Sequence, residues 1–240
     1  MQKGSLKITS KLAIILLTVL SVNFNSYGQD VVKIRNLNFT SYFSKSQHIP
    51  VLVIYTLTPD IFNCMRVKGE SGIKLEKDPQ LPDVTDLKED YTFSQFEDAQ
   101  MMAPEENTCE KDAYVESFYF TNVMPMPKNL YKELWEKLHT KEMVKARKFK
   151  KVKVFAGTVG RNWVIGHAHN VIVPEWAWKV IYIPSTDEYL CYQFHNIEPF
   201  NPKDNLANHK VDLATIESLA GVHFVNGVIN APYVTATPNN

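Results

Sequence analysis

SFYFTNVMPMPKNLYKELWEKLH (residues 117–139) changes its period half-way along. The first part, SFYFTNV (117–123), is aromatic and β-branched and predicts a strand that the prolines of MPMP bring to an end. From Asn129 onward Leu130, Leu134, Trp135, Leu138, Met143 and Ala146 recur at steps of three and four, the stripe of an amphipathic helix that runs to about Phe149. Working outward, VLVIYTLT (51–58), VKVFAGTVG (152–160), AWKVIYIP (177–184) and EYLCYQFHN (188–196) predict further strands, and DLATIESLAG (212–221) a last helix with Gly221 as its stop. Residues 63–92 are rich in Pro, Asp, Gly and Lys without a sustained period and predict a long loop. The mixture implies an α+β fold, a mostly antiparallel sheet with flanking helices.

The first residues have the form of an export signal. Lys3, Lys7 and Lys11 precede the apolar run LAIILLTVLSV (12–22), which is too short to span a bilayer, and SYG (26–28) offers small residues for cleavage. We therefore expect 1–28 as signal peptide, 29–50 as an extended lead-in, 51–226 as the domain and 227–240 as a C-terminal tail. The mature protein is then secreted or periplasmic, with no membrane association. Lys and Arg total 26 and Asp and Glu total 26, so no global field selects a nucleic acid or a membrane, and any electrostatic case is local. In an oxidising compartment the three cysteines allow one disulfide; Cys64 with Cys109 is the preferred pair because both lie in loops, which leaves Cys191 over.

With YTLT, Asp78-Pro79, Asp90-Tyr91, FYFTN, the tryptophan-bearing helix, VPEWAWKVIY and IESLAGVHF in this order, the chain resembles the DNA/RNA non-specific endonucleases from about Val51 to Phe224. These are ββα-metal (His-Me finger) enzymes that use Mg²⁺. The family signature is Asp-Arg-Gly-His, followed by a strand-ending Asn, Pro-Gln, Leu-Asn and Trp-x-x-Leu-Glu. Laid back from Asn122, it places Glu97 on the Asp, Asp98 on the Arg, Ala99 on the Gly and Gln100 on the His. Asn122, Pro125, Leu130, Trp135 and Leu138 match, whereas Met126 replaces Gln, Tyr131 replaces the metal-binding Asn and His139 replaces the Glu.

The replacements touch the chemistry that the resemblance implies. Glutamine has no protonation equilibrium near neutral pH, so Gln100 orients water but cannot take its proton, and loss of a general base typically removes roughly 10²- to 10⁴-fold in rate. A neutral phenol is a poor Mg²⁺ ligand, and a carboxylate at Asp98 repels a phosphate. A one-residue shift would put Met101 on the base position, and no histidine other than His48 occurs before His139 to restore it. We therefore expect no intact catalytic set, no cofactor where the family has Mg²⁺, and action by binding a nucleic acid or another protein; homodimers occur in the family.

Other patterns have two readings. His167, His169 and His195 could join His139 around a metal, or HAHN could be a polar loop. Glu97, Asp98, Glu105 and Glu106 could hold a divalent cation as an acidic cluster, or be a solvated loop. KEMVKARKFKKVKVF (141–155) holds seven basic residues against one acid, so Lys145, Arg147, Lys148, Lys150 and Lys151 are candidate nucleic-acid contacts or simply an exposed helix end. Arg66 matches a phosphate-contacting arginine of the family. Trp135, Trp176 and Trp178 are expected as core anchors.

Overall fold

The computed structural model describes residues 30–64, 73–92, 94–197, 201 and 203–235. The chain opens with three consecutive antiparallel strands, β1 (Val31–Arg35), β2 (Phe39–Ser44) and β3 (Ile49–Leu57). Two short helices, α1 (Pro59–Phe62) and α2 (Lys88–Thr92), precede β4 (Phe96–Gln100). A third, α3 (Lys111–Glu116), lies between β4 and its antiparallel partner β5 (Val123–Pro127). β5 runs directly into the long helix α4, built from Lys128–Leu130, a π-helical turn at Tyr131–Trp135, and Glu136–Phe149. β6 (Val152–Val159) returns to the sheet, the small hairpin β7 (Trp163–Ile165) and β8 (Val171–Val173) stands aside, and β9 (Trp176–Ile183), β10 (Glu188–His195) and β11 (Lys210–Val211) complete it. Helix α5 (Leu213–Ala220), the hairpin β12 (His223–Val225) with β13 (Val228–Asn230), and α6 (Pro232–Thr235) follow. The main sheet has seven strands in the order β1-β2-β3-β6-β9-β10-β11, all neighbours antiparallel. The fold is α+β.

Three stretches differ from the sequence expectation. The lead-in before residue 51 is extended, but it forms β1 and β2 of the main sheet, and Val228–Asn230 of the expected tail pairs with β12. SFYFTNV is not a strand. A short 3₁₀ turn occupies Phe120–Asn122, and the strand is VMPMP itself, fully buried. Prolines 125 and 127 are tolerated because β4 and β5 form a two-stranded ribbon, where a missing N–H interrupts no central ladder.

Alternation along the strands assigns two faces to the sheet. Val53, Tyr55, Val154, Ala156, Ala177, Ile181, Ile183 and Phe194 pack toward Leu134, Trp135 and Leu138 of α4. Leu52, Phe155, Trp178, Val180 and Tyr182 face the opposite side, toward Ile216 of α5 and Phe224 and Ile229 of the last hairpin. Trp135 and Trp178 are thus core anchors, as expected, while Trp176 is half-buried and stacks on His195 with ring centroids 4.4 Å apart. Gly157 is required beneath Trp178, since a Cβ there would lie 2.2 Å from the indole. The Cys64–Cys109 disulfide forms as expected and ties the end of α1 to the segment before α3; Cys191 is free and buried. Among the described residues no helix is long and apolar enough to cross a membrane.

Candidate functional site at the start of the long helix

The ribbon β4–β5 and helix α4 form a ββα unit, in which Gln100 pairs with Val123 at the end of β4 where the chain leaves the ribbon. Asn122, just before β5, is buried. Its Oδ1 accepts the Met102 N–H at 3.0 Å, and its Nδ2 donates to Met102 O at 2.8 Å and Ser117 O at 2.9 Å. It therefore fixes the path of the chain after Gln100.

Side chains four residues apart on a helix share a face, and Tyr131, Trp135 and His139 use that stripe to converge on Gln100. The Tyr131 hydroxyl donates to Gln100 Oε1 at 3.1 Å, Trp135 Nε1–H donates to Gln100 O at 2.8 Å, and His139 Nε2 lies 3.2 Å from the same carbonyl. The helix widens into its π turn at Tyr131–Trp135, where this convergence begins. The Tyr131 phenol is pushed well above its ordinary pKa by burial and then by Glu136, Asp98, Glu105 and Glu97, so it stays neutral. Two clefts of about 390 and 430 Å³ flank Gln100. Lys74, Lys88, Phe96, Asp98 and Phe120 line the first; Glu105, Tyr114, Tyr131, Glu136 and His139 line the second.

Behind His139 lies a sealed network that pattern reading did not find. Glu106, Glu142, Lys179 and Tyr55 are each no more than 2% exposed and His139 is 4% exposed. Lys179 Nζ donates to Glu142 Oε1 at 2.9 Å, to the Tyr55 hydroxyl at 3.1 Å and toward His139 Nδ1 at 3.1 Å, and it sits 4.6 Å from the Trp135 ring centroid. Tyr55 in turn donates to Glu142 Oε2 at 2.6 Å. Glu106 Oε2 accepts the Ala103 N–H at 2.8 Å and lies 3.0 Å from His139 Nδ1.

The imidazole proton can be assigned from these contacts. A carbonyl only accepts, so the Gln100 contact places the imidazole proton on Nε2 and leaves Nδ1 as an acceptor. Burial, then the Lys179 ammonium, lowers the His139 pKa to about 3, so the ring is neutral. Burial raises both Glu106 and Glu142 to about 7. Glu142 accepts from Lys179 and Tyr55, while Glu106 accepts the Ala103 N–H and faces His139 Nδ1.

A sequence pattern for this network does exist. Ala177, Lys179, Ile181 and Ile183 alternate toward one face of β9, where a lone lysine among apolar residues demands a buried partner, and Leu138, Glu142 and Ala146 recur every four residues on the inner side of α4.

The other candidates are dispersed. Glu97 is 3.9 Å from Lys128, and Asp98 lines the first cleft. His169 Nδ1 is 2.8 Å from Asp90 Oδ2, while Asp90 Oδ1 accepts the N–H groups of His167, Ala168 and His169. HAHN is thus a loop bound to Asp90, and among the described residues His139, His169 and His195 do not gather around one point. Glu97, Asp98, Glu105 and Glu106 do not act as one cluster, because Glu106 turns inward. On the basic run, Arg147 packs over Phe62 and donates to Asn63 Oδ1 at 3.2 Å, Lys145 and Lys148 lie over Phe149, and Lys150 caps α4 in a left-handed conformation. Arg66 falls outside the described residues.

The sequence profile of the DNA/RNA non-specific endonucleases matches residues 17–231. The chain belongs to this family. Among solved structures it is similar to the one titled "Crystal structure of the EndoG/EndoGI complex: Mechanism of EndoG inhibition", with a TM-score of 0.73 and 18% identity over 93% of this chain and 94% of that one. A search against curated proteins returned no match.

Nucleases of this family are metal-dependent, which raises the question of fit. Gln100 and Tyr131, which the sequence resemblance lays on the family's base and metal-ligand positions, present an amide and a neutral phenol hydrogen-bonded to each other, not the carboxylate, carbonyl and water oxygens that Mg²⁺ prefers. That pair does not fit the ion. A different grouping, Glu106, His139 and Glu142, brings three ligand atoms within 4.8 Å of one another and has the composition of a possible metal site.

Proposed function

We propose that this protein is an exported member of the DNA/RNA non-specific endonuclease family that binds nucleic acid without cleaving it. The observation that carries the reading is the Tyr131–Gln100 hydrogen bond of 3.1 Å. It satisfies the base position and the metal-ligand position with each other, so neither a proton acceptor nor an ion seat is offered to a phosphodiester. Glu136, Asp98, Glu105 and Glu97 all raise the Tyr131 pKa, and these acids set the surroundings of the old ligand position against phosphate. The basic residues Lys145, Arg147, Lys148, Lys150 and Lys151 begin fourteen residues further along α4, about 21 Å away at 1.5 Å per residue. Contact there would hold a polyanion clear of the cleft.

Two experiments test this. Retention of the mature protein on a DNA column should fall with salt and be lost when Lys148, Lys150 and Lys151 become Glu; unchanged retention moves the reading to a protein partner. Restoring Gln100→His, Tyr131→Asn, His139→Glu and Asp98→Arg together should give metal-dependent cutting if only the chemistry has been exchanged.

A working nuclease with His139 as base is the competing reading. Its support is that His139 lines the second cleft. Against it, both ring nitrogens are engaged and the pKa of about 3 makes it a weak base. Degradation that EDTA stops and His139→Ala abolishes would establish it.

A further inference from the structure

Glu106, His139 and Glu142 offer one nitrogen and two carboxylates, a set suited to borderline divalent ions such as Zn²⁺ or Co²⁺. His139 is prepared as metal-ligating histidines are. Its Nε2–H is held by the Gln100 carbonyl, and its Nδ1 lone pair faces the carboxylates. Glu106 Oε1 is buried with no hydrogen-bond partner, so one ligand oxygen is already desolvated and free. Lys179 Nζ sits between two of these ligands, 2.9 Å from Glu142 Oε1 and 3.1 Å from His139 Nδ1. The ammonium is tethered to β9, in the middle of the sheet, and is fully buried. A divalent ion cannot enter beside it, since two cations at that separation in a dry site repel strongly.

We infer that Lys179 is the resident cation of this ligand set, and that the set is a latent transition-metal site which Lys179 keeps closed. The inference does not depend on whether the chain cuts nucleic acid, because it concerns a sealed set of residues beside the Gln100–Tyr131 pair. Withdrawing Nζ leaves two carboxyls and a neutral imidazole with the charge unbalanced. A divalent ion restores the balance.

The test uses the mature protein and Zn²⁺ or Co²⁺ alone, with no nucleic acid. Lys179→Ala should bind one equivalent of Zn²⁺, gain roughly 5–10 °C in Tm at a hundredfold excess over Kd, and show visible Co²⁺ absorption. A further His139→Ala change should remove all three responses. The unaltered protein should show none of them, and EDTA should leave its Tm unchanged. Lys179→Ser, which leaves room for water, is carried alongside in case Lys179→Ala does not fold; refolding of either chain in Zn²⁺ but not in EDTA supports the proposal. A folded variant that ignores Zn²⁺, or two variants that fold in neither buffer, overturns the latent site. Saturable Zn²⁺ binding by the unaltered protein that is lost on His139→Ala overturns the role of Lys179.

Discussion

Tyr131 and His139 stand two turns apart on one stripe of α4, and both reach Gln100, yet the two corners are built in opposite ways. The Tyr131 corner opens on the clefts that flank Gln100, and at its centre a phenol and an amide bond to each other. The His139 corner holds an ammonium, two carboxyls and an imidazole, and its deeper members are shut away from solvent. On the proposed reading, hydrolysis needs a base and access together: the accessible Gln100–Tyr131 pair offers no base, and Glu106, Glu142 and Lys179 are shut away from solvent. The fold survives such a division because the ββα unit is held by Asn122, Trp135 and the Lys179 network rather than by the groups that would do chemistry.

The sharpest way to break this comparison is to remove the cation. Lys179→Met should destabilise the protein by about 3–5 kcal/mol, since it strands a buried carboxylate; urea unfolding measures it, and the additional change Glu142→Gln should recover part of the loss. Asn122→Ala should cost about 3 kcal/mol, because it leaves Met102 and Ser117 backbone groups buried and unpaired; a much smaller fall in the urea midpoint would mean that Asn122 does not hold the path after Gln100.

The two glutamates give a third, smaller effect. Glu106→Gln should cost only about 1 kcal/mol at pH 5, well below Glu142→Gln, because Glu142 alone accepts from both Lys179 and Tyr55. Its pH dependence has a definite sign. The glutamates are raised from 4.5 to about 7, so their contribution is fully present below pH 4.5 and is lost as pH rises through 7. His139 is lowered from 6.5 to about 3, so its contribution is present above pH 6.5 and is lost as pH falls toward 3. Stability should therefore peak between the two limbs, and Glu106→Gln should flatten only the alkaline one. Equal costs for the two glutamates would contradict this division of contacts. The smallest effect belongs to Tyr131→Phe, which removes one partly buried hydrogen bond, at about 1 kcal/mol or less. A loss as large as that of Lys179→Met would show the open corner to be a structural keystone.

Much of the fold was legible because burial imposes period. The alternation in VLVIYTLT and AWKVIYIP and the stripe Leu130, Leu134, Trp135, Leu138 identify β3, β9 and α4 to within a few residues. The ribbon was misplaced because MPMP reads as a terminator, and only pairing with β4 makes prolines acceptable there. β1 and β2 hid among polar residues because they lie toward the sheet edge, where alternation is weaker. At the site, the motif order brought Gln100, Asn122, Tyr131 and His139 to one place. The network behind them was illegible as chemistry, since Glu106, Glu142 and Lys179 lie 36 to 73 residues apart, and only the packing of α4 on β3 and β9 brings them together.

The most direct test is incubation of the unaltered protein with supercoiled plasmid and with RNA, in Mg²⁺ or Mn²⁺ and in EDTA. With Gln100 and Tyr131 bonded to each other, strand breaks should not exceed the EDTA control. Breaks that depend on the metal ion and vanish in EDTA would contradict the account.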